Sequence, residues 1–126
     1  ARVPDSRHRC QRFRKLADAT REGVAIIAGG RIVSANQALC RLFDYGEKEL
    51  LALDPLTLVA PETRDTVLER LRTHYSDPYE SIGVRRDGSR FPVEICGRDS
   101  VWEGKPARIK LIRDMTAQKE AERDLQ

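Results

Sequence analysis

The chain has 126 residues with 40% apolar and 34% charged side chains, a length and composition that fit one folded domain and argue against a disordered chain. A domain of this size buries roughly two-thirds of its unfolded surface, so it needs no metal or disulfide staple. No apolar run approaches the ~18 residues of a membrane span, and no signal-peptide core is present. The three cysteines (Cys10, Cys40, Cys96) are odd in number and lack a CxxC, which excludes a disulfide framework and a Cys-rich zinc site and points to a reducing compartment. Ala1 in place of a start methionine suggests an excised piece of a longer protein.

The net charge of +3 is unevenly spread. Residues 1–15 hold six basic groups against Asp5, leaving 17 basic and 19 acidic groups on the remaining 111 residues. A nucleic-acid binder needs a basic face on the folded body, so no nucleic-acid partner is expected. Residues 1–12 read as a basic leader entering a helix.

In chain order, Cys10, Phe13, Ala17 and Thr20 make one apolar stripe on a helix over Ser6–Thr20. Val24–Ala28 and Arg31–Ala35 read as a hairpin about Gly29-Gly30, because glycine accepts the positive φ of such turns. Asn36 is placed to cap a helix from Gln37, broken at Tyr45-Gly46 and followed by a short helical turn over Glu47–Leu51. Pro55 and Pro61 confine Leu56–Val59 to a short segment, and Glu62–Tyr75 predicts a longer helix with Val67, Leu68 and Leu71 on its apolar side. Three strands follow, Tyr79–Arg85, Arg90–Asp99 and Ala107–Met115, divided at Asp87-Gly88 and Glu103-Gly104. Thr116 is read as the cap of an exit helix with Ala121 and Leu125 on one side. The order predicts an α+β fold, a five-stranded antiparallel sheet with short helices on one face and flanking helices at both ends.

Several stretches, in this order, resemble a PAS domain. They are Glu22–Ile27 with Gly30–Asn36, Leu42–Tyr45 with Glu49-Leu50, Arg85–Glu94, and the Asp-x-Thr exit within Ile112–Lys119. The resemblance places the domain at 13–115 and the start of a signalling helix at 116–126. It implies a cytoplasmic sensory module of a bacterial signalling protein, dimeric through its flanking helices. Its output domain would lie in the same chain, of histidine kinase (two-component) or diguanylate cyclase type. It also implies that Asp114 and Thr116 tie the last strand to the exit helix and relay the signal.

The chemistry within that frame is sparse. His8 and His74 are the only histidines, and neither neighbours a candidate nucleophile in the sequence. No phosphate loop, HExxH or calcium loop occurs. The fragment is therefore expected to be non-catalytic. Haem-binding relatives carry a histidine where this chain has Val67 or Leu68, and light-sensing flavin relatives need a cysteine where Asp54–Ala60 has none. Neither haem nor covalent flavin is expected.

A small-ligand pocket remains. Phe91, Val93, Ile95 and Gly97 alternate inward along one strand. With Ile27, Phe43, Leu58, Val67, Leu71 and Ile112 they either line a pocket or fill a closed core. A cavity of a few hundred Å³ with converging polar groups would favour the pocket; a filled core would make the domain a dimerisation and coupling module. Trp102, beside a turn, reads as packing. Lys110 depends on one loop. Alternation alone puts it in solvent, as does a three-residue loop. A two-residue loop at Glu103-Gly104 pairs Ile95 with Ile112 and Gly97 with Lys110, which turns Lys110 inward. In that case Lys110, with Arg108 nearer the rim, would favour a small anionic metabolite.

Overall fold

The computed structural model describes residues 22–124, so the basic leader, the helix expected over Ser6–Thr20 and Leu125 lie outside the described residues. Five strands, β1 (Gly23–Ala28), β2 (Arg31–Ala35), β3 (Tyr79–Val84), β4 (Arg90–Trp102) and β5 (Lys105–Asp114), form one antiparallel sheet in the order β2-β1-β5-β4-β3. Between β2 and β3 run α1 (Gln37–Phe43), α2 (Glu47–Ala52), two 3-10 turns (Pro55–Leu58 and Pro61–Thr63) and α3 (Arg64–Arg72). Among the described residues, no helix is long and apolar enough to cross a membrane.

The β1–β2 hairpin turns on Gly29 and Gly30, both at positive φ. Its register then slips by one, since Ile27 faces Ile32 but Ala25 faces Ala35. The extra residue is a bulge that lets Ile32 and Ala35 both reach the core beneath the helices. Asn36 fastens the next element. Its Oδ1 accepts from the Leu39 N–H (2.9 Å) and the Val24 N–H (2.9 Å), while its Nδ2 donates to the Glu22 carbonyl (2.9 Å). One buried amide therefore caps α1 and pins it to β1.

Two boundaries and one side chain depart from expectation. The helix expected over Glu62–Tyr75 is a 3-10 turn followed by the shorter α3, because Pro61 opens the segment and His74 adopts a left-handed φ of 55°. Leu68 is 47% exposed rather than core, since Val67 and Leu71 lie one turn apart on the covered side and Leu68 sits about 100° round. Both long strands run to the tip of their hairpin, where Glu103 and Gly104 take φ of 50° and 77°. That is a two-residue turn, and it pairs Ile95 with Ile112 and Gly97 with Lys110.

The exit is built differently from the expected Thr116 cap. Thr116 is already the first residue of α4 (Thr116–Asp124), and its hydroxyl donates to Asp114 Oδ1 (2.5 Å). That same oxygen accepts the Thr116 N–H (2.8 Å), so the Asp114 carboxylate serves as the acceptor for the helix start. Buried Met115 donates its N–H to the Pro92 carbonyl on β4 (2.9 Å), and Lys119 reaches Glu80 on β3 (2.9 Å). Ala121 is exposed and does not pack on the sheet. On the sheet's outer face, Trp102 packs with Ile26, Ala107, Val33 and Ile109.

Candidate functional site

Strand alternation delivers Ala25 and Ile27 from β1, Val93 and Ile95 from β4, and Lys110 and Ile112 from β5 to one face of the sheet. Phe43 from α1, Leu58 from the first 3-10 turn, and Val67 and Leu71 from α3 cover that face. All eight pocket residues expected from the sequence (Ile27, Phe43, Leu58, Val67, Leu71, Ile95, Lys110 and Ile112) line one cavity of about 50 Å³. This is well short of a few hundred Å³, and its walls are apolar except for Lys110 and Tyr79.

Lys110 is 4% exposed and its Nζ has no hydrogen-bond partner among the described residues. Burial, reinforced by the like charge of Arg108, pushes its pKa down from 10.5 to about 8. Gly97 makes the space. A Cβ there would stand 3.1 Å from Lys110 Nζ and 2.6 Å from Arg108 Nη2. Any larger residue at 97 would have to displace both cations.

Arg108 is more enclosed than a rim residue, at 5% exposure. Its guanidinium donates to Asp99 Oδ1 (2.9 Å) and to the Tyr75 carbonyl (2.5 Å). Asp99 also meets His74 Nδ1 (2.7 Å), so this cluster ties the end of α3 and the loop after it to β4 and β5. The two hydrogen bonds from His74 and Arg108 hold the Asp99 carboxyl below its usual range. An open cleft of about 400 Å³ lies beside the cluster and shares Ile27 and Leu71 with the inner cavity.

Tyr79 is the polar lining residue that sequence reasoning missed, along with apolar ones such as Ala25, Ile32 and Leu39. It faces Ile95 across β3–β4, its hydroxyl is buried with no partner among the described residues, and burial pushes its pKa up to about 12. Its ring lies 6.0 Å from Lys110 Nζ and 5.7 Å from the Arg70 guanidinium. The signal was present in the inward set of β4, but carrying it to β3 required the geometry of the loop at Asp87-Gly88.

Of the two positions at which the sequence resemblance would put a haem-ligating histidine, Val67 faces the cavity and Leu68 faces solvent. The pair expected to relay the signal, Asp114 and Thr116, is at the sheet's exit. It is two residues along β5 from Ile112, which lines the cavity.

The family model described as PAS domain matches residues 21–117. Among solved structures, the PAS domain of an HTR-like protein from Haloarcula marismortui is similar at 22% identity and TM-score 0.69, over 86% of this chain and 98% of that one. A sensory box histidine kinase/response regulator from Burkholderia thailandensis is similar at 21% identity and TM-score 0.67, over 90% and 92%. A PAS domain from Colwellia psychrerythraea gives 16% identity and TM-score 0.70, over 85% and 98%. No curated protein matches at a significant level.

Proposed function

This chain belongs to the PAS domain family, the sensory modules of signalling proteins, and from that premise we propose that it detects a small anionic ligand held at Lys110. The carrying observation is the Lys110 ammonium, which faces an apolar cavity with no counter-charge within hydrogen-bond reach among the described residues. A buried, unpaired ammonium costs several kcal/mol, and an anion that enters beside it recovers that cost. Occupancy would bear on Ile112, and two residues later the strand reaches Asp114, whose carboxylate starts α4. The ligand signal would pass by this short path to a downstream output domain of histidine kinase or diguanylate cyclase type. The domain works in the cytoplasm, as a homodimer joined through its flanking helices, without catalysis of its own, and it takes neither haem nor covalent flavin.

The test is a thermal-shift screen of anionic metabolites on the domain, run beside Lys110→Met. Anions that raise the melting temperature of the wild type and leave the variant unmoved support the reading. A screen in which no anion separates the two proteins sinks it.

The small cavity supports a second reading. At about 50 Å³ the core is nearly filled, as expected of a module that only dimerises and couples its neighbours. On that reading the same screen is silent while deletion of the domain still abolishes output.

A further inference from the structure

The chemistry of the ligand can be narrowed further, on the premise that Lys110 holds an anion. Two observations independent of each other bear on it. The first is the donor set. Among the described residues, Tyr79 and Lys110 are the only polar side chains on the cavity wall, and the polar atom of each is buried without a partner. Both carry protons to donate, and the ammonium has no accepting capacity at all. The nearby carboxylate, Asp99, is already engaged by Arg108 and His74. What is missing from this end of the cavity is an acceptor with negative charge.

The second observation is room. A water needs about 10–15 Å³ of such space, so a cavity of about 50 Å³ admits roughly three to five non-hydrogen atoms. A carboxylate takes three of these, which leaves at most two carbons. The remaining wall, with Ile27, Phe43 and Ile95, is hydrocarbon and suits an alkyl end. A second carboxylate would be stranded there without a donor, and a long chain would exceed the cavity's volume.

We infer that the cavity takes a short-chain monocarboxylate of the acetate or propionate class, its carboxylate held between Lys110 Nζ and the Tyr79 hydroxyl and its alkyl end against Ile27, Phe43 and Ile95. Tyr79 is then a specificity-determining residue, since its hydroxyl adds a donor from β3, at a place the Lys110 ammonium does not occupy.

Calorimetric titration of the dialysed domain with acetate, propionate, hexanoate, succinate and phosphate tests this, using wild type, Tyr79→Phe and Lys110→Met. Near-UV circular dichroism establishes that each protein is folded. The expected result is that acetate or propionate binds the wild type, that Tyr79→Phe weakens it about tenfold, and that Lys110→Met abolishes it. Lys110-dependent binding of hexanoate, succinate or phosphate in place of the short acids would overturn the ligand class and leave the anion reading standing. Unchanged affinity in folded Tyr79→Phe would overturn the role of Tyr79. If no anion binds the folded wild type, the class and the anion reading fall together.

Discussion

Two glycines on the inner face of the sheet make room for opposite kinds of neighbour. At Gly83 on β3, a Cβ would stand 2.8 Å from Phe91 Cε1 and 3.2 Å from Phe43 Cε1, and those two rings pack with centroids 5.3 Å apart. At Gly97 on β4, a Cβ would meet the Arg108 guanidinium and the Lys110 ammonium. The absent side chain at the first position lets aromatic rings close the core. At the second it lets two cations lie under the helices, where apolar packing would otherwise exclude them. One end of the inner face therefore supplies stability, and the other gives some of it up to hold charge.

The sharpest way to test that contrast is to remove the charge. The Lys110 pKa is lowered from 10.5 in the unfolded chain to about 8 in the native state. Between these values the unfolded chain binds more protons, so stability rises with pH across the window and the penalty is fully present below pH 8. Lys110→Met should therefore be more stable than wild type at pH 7, by an amount on the order of 3 kcal/mol. The gap should narrow between pH 8 and 10. Tyr79 acts in the other direction. Its pKa rises to about 12, so above pH 10 its ionisation in the unfolded chain lowers stability as pH rises. Urea denaturation of both proteins at pH 7, 8, 9 and 10 reads the difference, and a gap that stays constant would contradict a buried ammonium.

The two glycines themselves give the next largest effect. Gly83→Ala forces a methyl group against rings held on both sides, and should cost about 2 kcal/mol. Gly97→Ala presses on the far ends of two flexible side chains, which can swing aside, and should cost under about 1 kcal/mol. Its larger consequence falls on binding, because the displaced Lys110 Nζ no longer faces the cavity. Equal destabilisation of the two variants by urea denaturation, or intact anion binding in Gly97→Ala, would erase the distinction between the two ends.

Much of this architecture is legible in the sequence, and the reasons differ from place to place. A turn written by Gly29-Gly30 reads directly, whereas Glu103-Gly104 reads as a turn of two or three residues, and the two-residue form found turns Lys110 inward against simple alternation. Asn36 reads as a cap because its short amide can reach the helix start, although its bonds to Val24 and Glu22 do not follow from local pattern. The end of α3 does not read, since the left-handed turn at His74 depends on a non-glycine residue accepting positive φ. Tyr79 also escapes, because its place opposite Ile95 depends on a loop whose length pattern alone leaves open. Arg108 is misjudged as a rim residue because its partners, Asp99 and the Tyr75 carbonyl, come from two other segments.

A small effect on stability is also expected at the exit, where a single carboxylate holds the start of α4. Asp114 Oδ1 accepts both the backbone N–H and the hydroxyl of Thr116, so Asp114→Ala leaves the first turn of α4 without its acceptor. Losing such a bond at a helix start costs about 1 kcal/mol, which a domain of this size tolerates. The helix itself is still tethered by the Met115 N–H on Pro92 and by Lys119 on Glu80, so it should loosen at its start without detaching. In a full-length protein with an attached output domain, the expected outcome is a melting temperature within a few degrees of wild type and an output that no longer responds to the ligand. Thr116→Val removes only the hydroxyl donor and should leave the response largely intact. If Asp114→Ala lowers response and stability in the same proportion, the carboxylate is an ordinary helix acceptor and the signal leaves by another route.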